Sequence, residues 1–485
     1  MKGKHFTQKS FTLFTINYVI GVGFLTTIAS FLNFNYWGYL VILIAALVIF
    51  GISLVFSRLS NSFKEHYGGS YTFAKHIDEH YHEEHKHKTK VKNKLISYFS
   101  FFVGWNQFIQ TPILSSISPL FLASTIIHFL PSDLAYYNVW VWVIRTLALS
   151  FFILLIFIST IGLKSSKKFI YYASFVKWFI LFIGLEVLII TVIVNNQYQI
   201  NFDNFQLQEA KKLTPHLIFA NALLFVYAFA GTEDVSAMVK DVKFKNFRKI
   251  LIISFASVLS FYFLIYTLLL GFDLIQSKKG LVGVYSVFGI FGIILFIIGY
   301  LSNDVSSKIT ISVATARKIV PLSEDGHLFY FLTKKNKKGE FQNAIWFTTI
   351  ITLVSMVVFW LLSIFLTKNN NESRDNFFET AILGSGIALL VEDLCTFITA
   401  FILDRKKLIP KIPLWEKIYY VFDICLIVFL LISYFVPQIY GLPFQTNSLV
   451  VIGVYFSFIL LGILFKLFSV FYKQKKSKQN KQIIS

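Results

Sequence analysis

Charged residues make up only 14% of the 485-residue sequence, against about 25% in an average soluble domain. That is too little polar surface to clothe the three water-soluble domains that length alone suggests. Cysteine occurs twice, at Cys395 and Cys425, which excludes a disulfide-rich scaffold and any metal centre built from cysteine alone. No phosphate-binding P-loop, Gly-x-Ser-x-Gly elbow or zinc spacing occurs anywhere. The sequence therefore argues against an enzyme and against an ATP-driven pump, and it calls for no cofactor and no metal. Apolar residues, by contrast, make up 56% of the chain, with 56 Phe, 24 Tyr and 8 Trp, and the lipid bilayer is the solvent this composition suits. The formal charge of +20 lies in short segments between apolar runs. Without a separate basic domain it points to membrane charge bias and not to a nucleic-acid partner.

A helix needs about 20 apolar residues to cross roughly 30 Å of hydrocarbon, and twelve segments qualify: 9–33, 38–60, 96–129, 138–163, 168–195, 214–239, 249–273, 282–318, 343–367, 377–403, 413–436 and 447–472. The first is the weakest by hydropathy, because it carries Asn17 and several Thr. No cleavable signal stands out at the polar start. With both termini cytoplasmic, the inner segments hold 35 of the 45 Lys and Arg, and the outer loops hold only Lys211, Lys212, Lys278, Lys279, Lys368 and Arg374. This asymmetry predicts a multi-pass protein of the cell membrane with both ends inside. Arg145, Lys177, Lys308 and Lys466 remain in or near spans, where a charge costs at least about 2.5 kcal/mol. The segment 76–94, with five His among its acids, reads first as a solvated cytoplasmic loop and second as a weak metal or pH sensor.

Two spans are interrupted at mid-length. The first reads Ile20-Gly21-Val22-Gly23-Phe24 and the sixth Tyr227-Ala228-Phe229-Ala230-Gly231-Thr232-Glu233. Glycine weakens a helix interior by about 1 kcal/mol but lets unwound backbone approach a ligand. Such a break is tolerated at mid-membrane only where protein or a water-filled cavity meets the freed N–H and C=O groups. Close helix packing is the competing explanation for Gly21 and Gly23. The two breaks, however, hold corresponding positions if spans 1–5 and 6–10 are two halves, and paired breaks mark a binding site.

In these residues the chain resembles the amino acid–polyamine–organocation permeases, which have the leucine-transporter fold. Ile20 to Phe24 is similar to the family's I-G-S-G-I-F signature with Val22 in place of Ser, and Tyr227 to Glu233 to F-x-F-x-G-x-E. Asp241 and Lys243 resemble the start of the following acid-x-Lys-Asn-Pro turn, whose Asn-Pro is replaced by Phe244 and Lys245. Gly68-Gly69-Ser70-Tyr71 resembles a G-G-x-Y motif, and Arg317-Lys318 with Asp325-Gly326 resembles the stretch after the eighth span. The resemblance covers most of residues 10–403. It implies an all-α membrane protein of twelve transmembrane helices in a five-plus-five inverted repeat, with helices 1 and 6 discontinuous. Residues 1–195 form the first repeat, 214–403 the second and 413–472 the last two helices, with 473–485 a basic tail. It also implies that an amino acid sits between the breaks. Its carboxylate meets the N–H groups of Gly21, Val22 and Gly23, its ammonium meets the carbonyls of Ile20, Tyr227 and Ala230 beside Gly231, and Tyr227 or Phe229 covers it.

Lys177, in apolar surroundings on the fifth span, either snorkels toward Lys167 and Lys168 or couples transport to protons, as a lysine at a similar place does in proton-driven members of the family. Glu233 is a second coupling candidate, or else a structural carboxylate pinning the broken helix. Asp304 and Lys308 stand four apart in the order that favours an intrahelical pair. Gly104-Trp105 reads as packing. The expected function is secondary active import of an amino acid, by proton symport with alternating access. An amino acid/polyamine exchanger is the alternative, and a non-transporting membrane sensor the alternative of another class. The partners are the amino acid, the proton and the lipid bilayer.

Overall fold

The computed structural model describes the chain except for residues 1–5, 85–89, 132, 161–162, 274–280, 338, 368–376, 444–445 and 485. Side chains of residues 78–94 and 472–485 are likewise not described, so the expectations for the His-rich loop, the basic tail and Lys278, Lys279, Lys368 and Arg374 lie outside the described residues. The rest is almost wholly helical. A capping box between Thr7 and Ser10 starts α1 (Gln8–Val19), which gives way at Ile20 and Gly21 to α2 (Val22–Thr27) and a tight 3-10 segment (Ile28–Trp37). α3 (Gly38–Ser62), α4 (Ser70–Glu84), α5 (Lys90–Ser115) and α6 (Ile117–His128) follow, the last two forming one span with Pro112 near their junction. Then come α7 (Tyr137–Ser159), α8 (Leu163–Asn195), the short α9 (Tyr198–Asn204), α10 (Pro215–Val226) and α11 (Thr232–Ala237). The remaining helices are α12 (Phe247–Leu270), α13 (Leu281–Tyr285), α14 (Gly289–Glu324), α15 (Gln342–Thr367), α16 (Phe378–Arg405), α17 (Leu414–Phe435) and α18 (Thr446–Ile484).

Among the described residues, eleven helical stretches are long and apolar enough to cross a bilayer. The first, Gln8–Ser62, contains two of the twelve expected spans joined through the 3-10 segment, and the other ten coincide with the remaining expectations. Many large apolar side chains face outward along these helices, including Leu154, Phe179, Ile193, Phe291 and Phe456, as lipid-facing surfaces require.

Packing separates the helices into two groups. α1, α3, α10 and α12 pack on one another, while α14 lies along α8 with α5 and α15 beside it, and α16 packs on α5. At the end that carries most of the basic loops, β1 (Phe6–Thr7) pairs in parallel with β2 (Val242–Lys243), Phe6 opposite Val242. The pairing ties the start of α1 to the chain that leaves α11. Glu416 on α17 binds Arg58 of α3 and Arg248 of α12, each at 2.8 Å, so α17 is fastened to the first group by a buried carboxylate with two guanidinium partners. The Lys466 ammonium lies over the rings of Tyr98 and Phe101 at 4.1 and 4.5 Å, a cation–π arrangement.

Candidate functional site

Both expected interruptions are present. After Val19, Ile20 turns to ψ 88° and Gly21 is extended, and helix resumes at Val22. The Leu25 N–H is bonded to the Gly21 carbonyl, so the N–H groups of Gly21, Val22 and Gly23 lie ahead of the first turn's bonds and have no intrahelical acceptor. In the sixth span α10 tightens into a 3-10 turn over Tyr227–Phe229, Ala230 is extended, and Gly231 takes φ +132° before α11 begins. Only glycine adopts that angle without strain. The two breaks touch: a Cβ on Gly23 would lie 2.8 Å from the Tyr227 carbonyl oxygen, and one on Gly231 2.8 Å from the Tyr18 ring. Tyr262 of α12 spans both, its hydroxyl donating to the Ala228 carbonyl at 2.5 Å and reaching the Val19 carbonyl at 3.5 Å.

The carbonyl end of α1 is held by Lys177. Its ammonium donates to the Asn17 carbonyl at 2.7 Å and to the Ile20 carbonyl, and only 6% of the residue is exposed. This is a correction to the snorkelling alternative. Unwinding α1 frees two carbonyls, and the Lys177 ammonium is turned to these rather than along α8 toward Lys168. Asn17 itself, the polar residue that weakened the first span, turns its side chain to α8, accepting from the Trp178 indole at 2.8 Å and donating to Ser174 at 3.3 Å.

Against the two breaks lies a cavity. One wall is made by Gly21, Val22, Gly23, Tyr227, Ala230, Gly231 and Glu233, and the opposite wall by polar side chains of α5, α6, α14 and α16, among them Gln110, Ser118, Asp304, Lys308 and Ser385. Glu233 accepts the Gly231 N–H at 3.0 Å through Oε2, while its Oε1 is buried without a hydrogen bond. The carboxylate therefore pins the break and keeps one acceptor free. Beside it, Glu392 accepts from Ser70 and, at 2.5 Å, from Gln110.

Toward the basic end the cavity is closed by paired charges. Asp234 of α11 accepts from the Tyr18 hydroxyl of α1 and forms an ion pair with Lys318 of α14. Asp241 meets Arg317 at 2.9 Å and the Tyr67 hydroxyl at 2.8 Å. Burial, with the Asp241 carboxylate adding to it, pushes the Tyr67 phenol up to about 12. Asp325 meets Lys75 at 2.7 Å and Tyr71 at 2.5 Å. Residues from separate sequence motifs thus converge here: Asp241 with Arg317, and Tyr71 with Asp325.

Of the residues singled out from the sequence, Gly21, Val22, Gly23, Tyr227, Ala230, Gly231 and Glu233 line the cavity. Two do not. Phe229 points away from it, into a cluster with Phe225, Phe255 and Tyr262, leaving Tyr227 as the aromatic wall. Ile20 lines a smaller neighbouring cavity with Lys177 and Asn303, and its carbonyl already accepts from Lys177. The Tyr227 carbonyl takes the Ala230 N–H at 3.1 Å. Asp304 and Lys308 do not form the expected intrahelical ion pair: neither Asp304 oxygen has a hydrogen bond, and no salt bridge joins them among the described residues. Both line the cavity. The role of Asp234 and the polar residues of α5, α6 and α16 was missed, because facing across helices is not encoded in local spacing. Gly104 abuts the Tyr71 ring and the Trp105 indole donates to the Phe458 carbonyl at 2.8 Å, both packing roles.

Comparison with known proteins agrees with this architecture. A family model described as amino acid permease matches residues 6–470. Uncharacterized protein MG225 of Mycoplasma genitalium is 33% identical over 99% of this chain and 98% of its own, and uncharacterized protein MG226 of the same organism is 30% identical over 99% and 98%. Among solved structures, a mutant of the Eremococcus coleocola manganese transporter superposes with a TM-score of 0.53 at 14% identity, over 96% of this chain and 95% of that one, a likeness of fold. An integral, multi-pass, all-α membrane architecture with two broken helices around a central cavity, matched by the family model along nearly its whole length, places this chain in the amino acid permease family.

Proposed function

We propose that the protein is a secondary active transporter that imports an amino acid across the cell membrane by proton symport, with both termini in the cytoplasm. The observation that carries this is the meeting of the two breaks on one wall of a polar cavity. Unbonded N–H groups at the start of α2 suit a carboxylate. The Ala230 carbonyl and the free oxygen of Glu233 suit an ammonium group. An α-amino acid carries both groups on one carbon and bridges the gap. Tyr227 borders the same space.

Lys177 and Glu233 are the proposed proton-coupling residues. A protonated Lys177 ties the carbonyl end of α1 to α8 through Asn17 and Ile20. Loss of that proton removes charge-assisted bonds, and α1 is then released from the α8 side. Substrate contacts both broken helices, so its binding favours the closed arrangement of α1, α3, α10 and α12 against the other group, and alternating access follows from their rocking. The ion pairs at Asp234, Asp241 and Asp325 are the barrier on the cytoplasmic side and must open for release.

The test is uptake by the purified protein in vesicles with an inward proton gradient and a panel of labelled amino acids. Symport gives gradient-driven accumulation, and Lys177→Ala abolishes it. Accumulation only with amino acid or polyamine trapped inside establishes exchange instead, and binding without accumulation establishes a sensor.

A further inference from the structure

The cavity wall opposite the breaks is built around unmet charges. Asp304, Ser307, Lys308 and Ile311 fall at spacings of three, four and seven along α14, which places them on one helical face. Asp304 is 1% exposed and Lys308 4%. Neither oxygen of Asp304 has a hydrogen bond. The Lys308 ammonium has no salt bridge among the described residues but lies within the field of Asp304, and the Ser118 hydroxyl on α6 and the Tyr300 hydroxyl stand beside the same carboxylate. Lys177 comes near Asp304, yet its own protons are given to Asn17 and Ile20. A carboxylate and an ammonium left unpaired inside a membrane protein are each costly, and both of these open onto the same space.

We infer that Asp304 and Lys308 read the substrate side chain, and that the side chain they select is a carboxamide, that of glutamine or asparagine. The inference rests on the transport reading above, in which the breaks bind the amino acid's own charged groups and leave α14 to meet what lies beyond. A carboxamide answers both partners with separate atoms: its C=O accepts from the Lys308 ammonium and its NH2 donates to the Asp304 carboxylate, about one helical turn away, whereas a hydroxyl must do both through a single oxygen. A carboxylate side chain suits Lys308 but is repelled by Asp304. An ammonium side chain suits Asp304 but is repelled by Lys308. An aliphatic or thioether side chain leaves both groups unmet, and sites built to hydrogen-bond a substrate reject analogues that cannot return the bond.

The experiment is uptake of labelled glutamine, asparagine, methionine, glutamate and lysine, each alone, by the full-length protein in vesicles. Methionine serves as a probe of similar length without the amide. The expected result is uptake of glutamine or asparagine at an apparent affinity at least about tenfold better than the other three, with Lys308→Met narrowing the glutamine-to-methionine ratio toward one. Methionine, glutamate or lysine carried as well as the amides by the unaltered protein overturns the side-chain assignment and leaves the transport reading standing. Uptake of none of these five, while another amino acid accumulates, overturns the side-chain assignment alone, and a repeat with all twenty amino acids in which none accumulates overturns both. The wild-type ranking decides the question even if the Lys308 variant does not fold.

Discussion

Gly23 and Gly231 do different work, and the difference sets what their replacement does. Gly231 needs its angle: φ +132° strains any side chain, and an added Cβ also meets the Tyr18 ring. Gly23 needs only its missing side chain, because the space is filled by the Tyr227 backbone oxygen, which cannot swing away as a flexible side chain does. Gly23→Ala is accordingly expected to wedge the two breaks apart and to cut substrate affinity by about tenfold or more while the protein still inserts and folds. Binding titrations on detergent-purified protein with an unchanged melting profile check this. Gly231→Ala adds backbone strain of about 1–3 kcal/mol and lowers thermal stability as well, read from the melting temperature. Lys177 shows what such positions hide from sequence: its partners are main-chain carbonyls of another helix, exposed only because that helix is broken.

The broken helices are held by elements that grip them from outside, and those grips can be loosened singly. Tyr262→Phe removes the hydroxyl between the Ala228 and Val19 carbonyls but keeps the ring stacked on Phe24 at 4.5 Å. A loss of about 1 kcal/mol is expected, measured by thermal melting. Asp234→Asn removes the ion-pair partner of the buried Lys318 and leaves it the Gln107 carbonyl, and breaking a buried pair from one side costs up to about 3–5 kcal/mol. A cysteine placed near the Asp234 layer should then label from the cytoplasmic face faster than in the parent protein, and unchanged labelling would remove that pair from the gate. The Tyr67–Asp241 bond behaves differently with pH. With the phenol raised to about 12, its proton is held more tightly in the folded state. The stability it adds is therefore intact below the usual tyrosine value of about 10 and is lost as pH rises through the folded value. Between pH 5 and 9 uptake should show no inflection traceable to Tyr67, so Tyr67→Phe is expected to leave the shape of the pH profile unaltered in that window, whatever it does to the rate.

The molecule as a whole was readable where the chain's own pattern dictates the outcome. Span positions follow from apolar length, because the bilayer leaves a backbone few alternatives to a helix, and the two breaks follow from glycine. Charge sets the proposed orientation, with Lys and Arg concentrated on one side of the spans; fluorescent-protein fusions at either end should fluoresce in the cytoplasm, and a dark fusion at one end would invert or re-thread the topology. What the sequence did not reveal is which polar residues of different helices face one another, as with Ser118, Asp304 and Ser385, since helix rotation is fixed by packing between distant segments. The expected Asp304–Lys308 ion pair is not closed for that reason: the spacing permits it and each lies in the other's field, but both side chains turn to the cavity. The account stands or falls on where a small zwitterion sits. A cryo-EM map of the protein saturated with a transported amino acid should show its carboxylate within hydrogen-bond distance of the Val22 and Gly23 N–H groups and its ammonium beside Ala230 and Glu233. Density for the amino acid elsewhere, with the space between the breaks filled only by side chains, would contradict it.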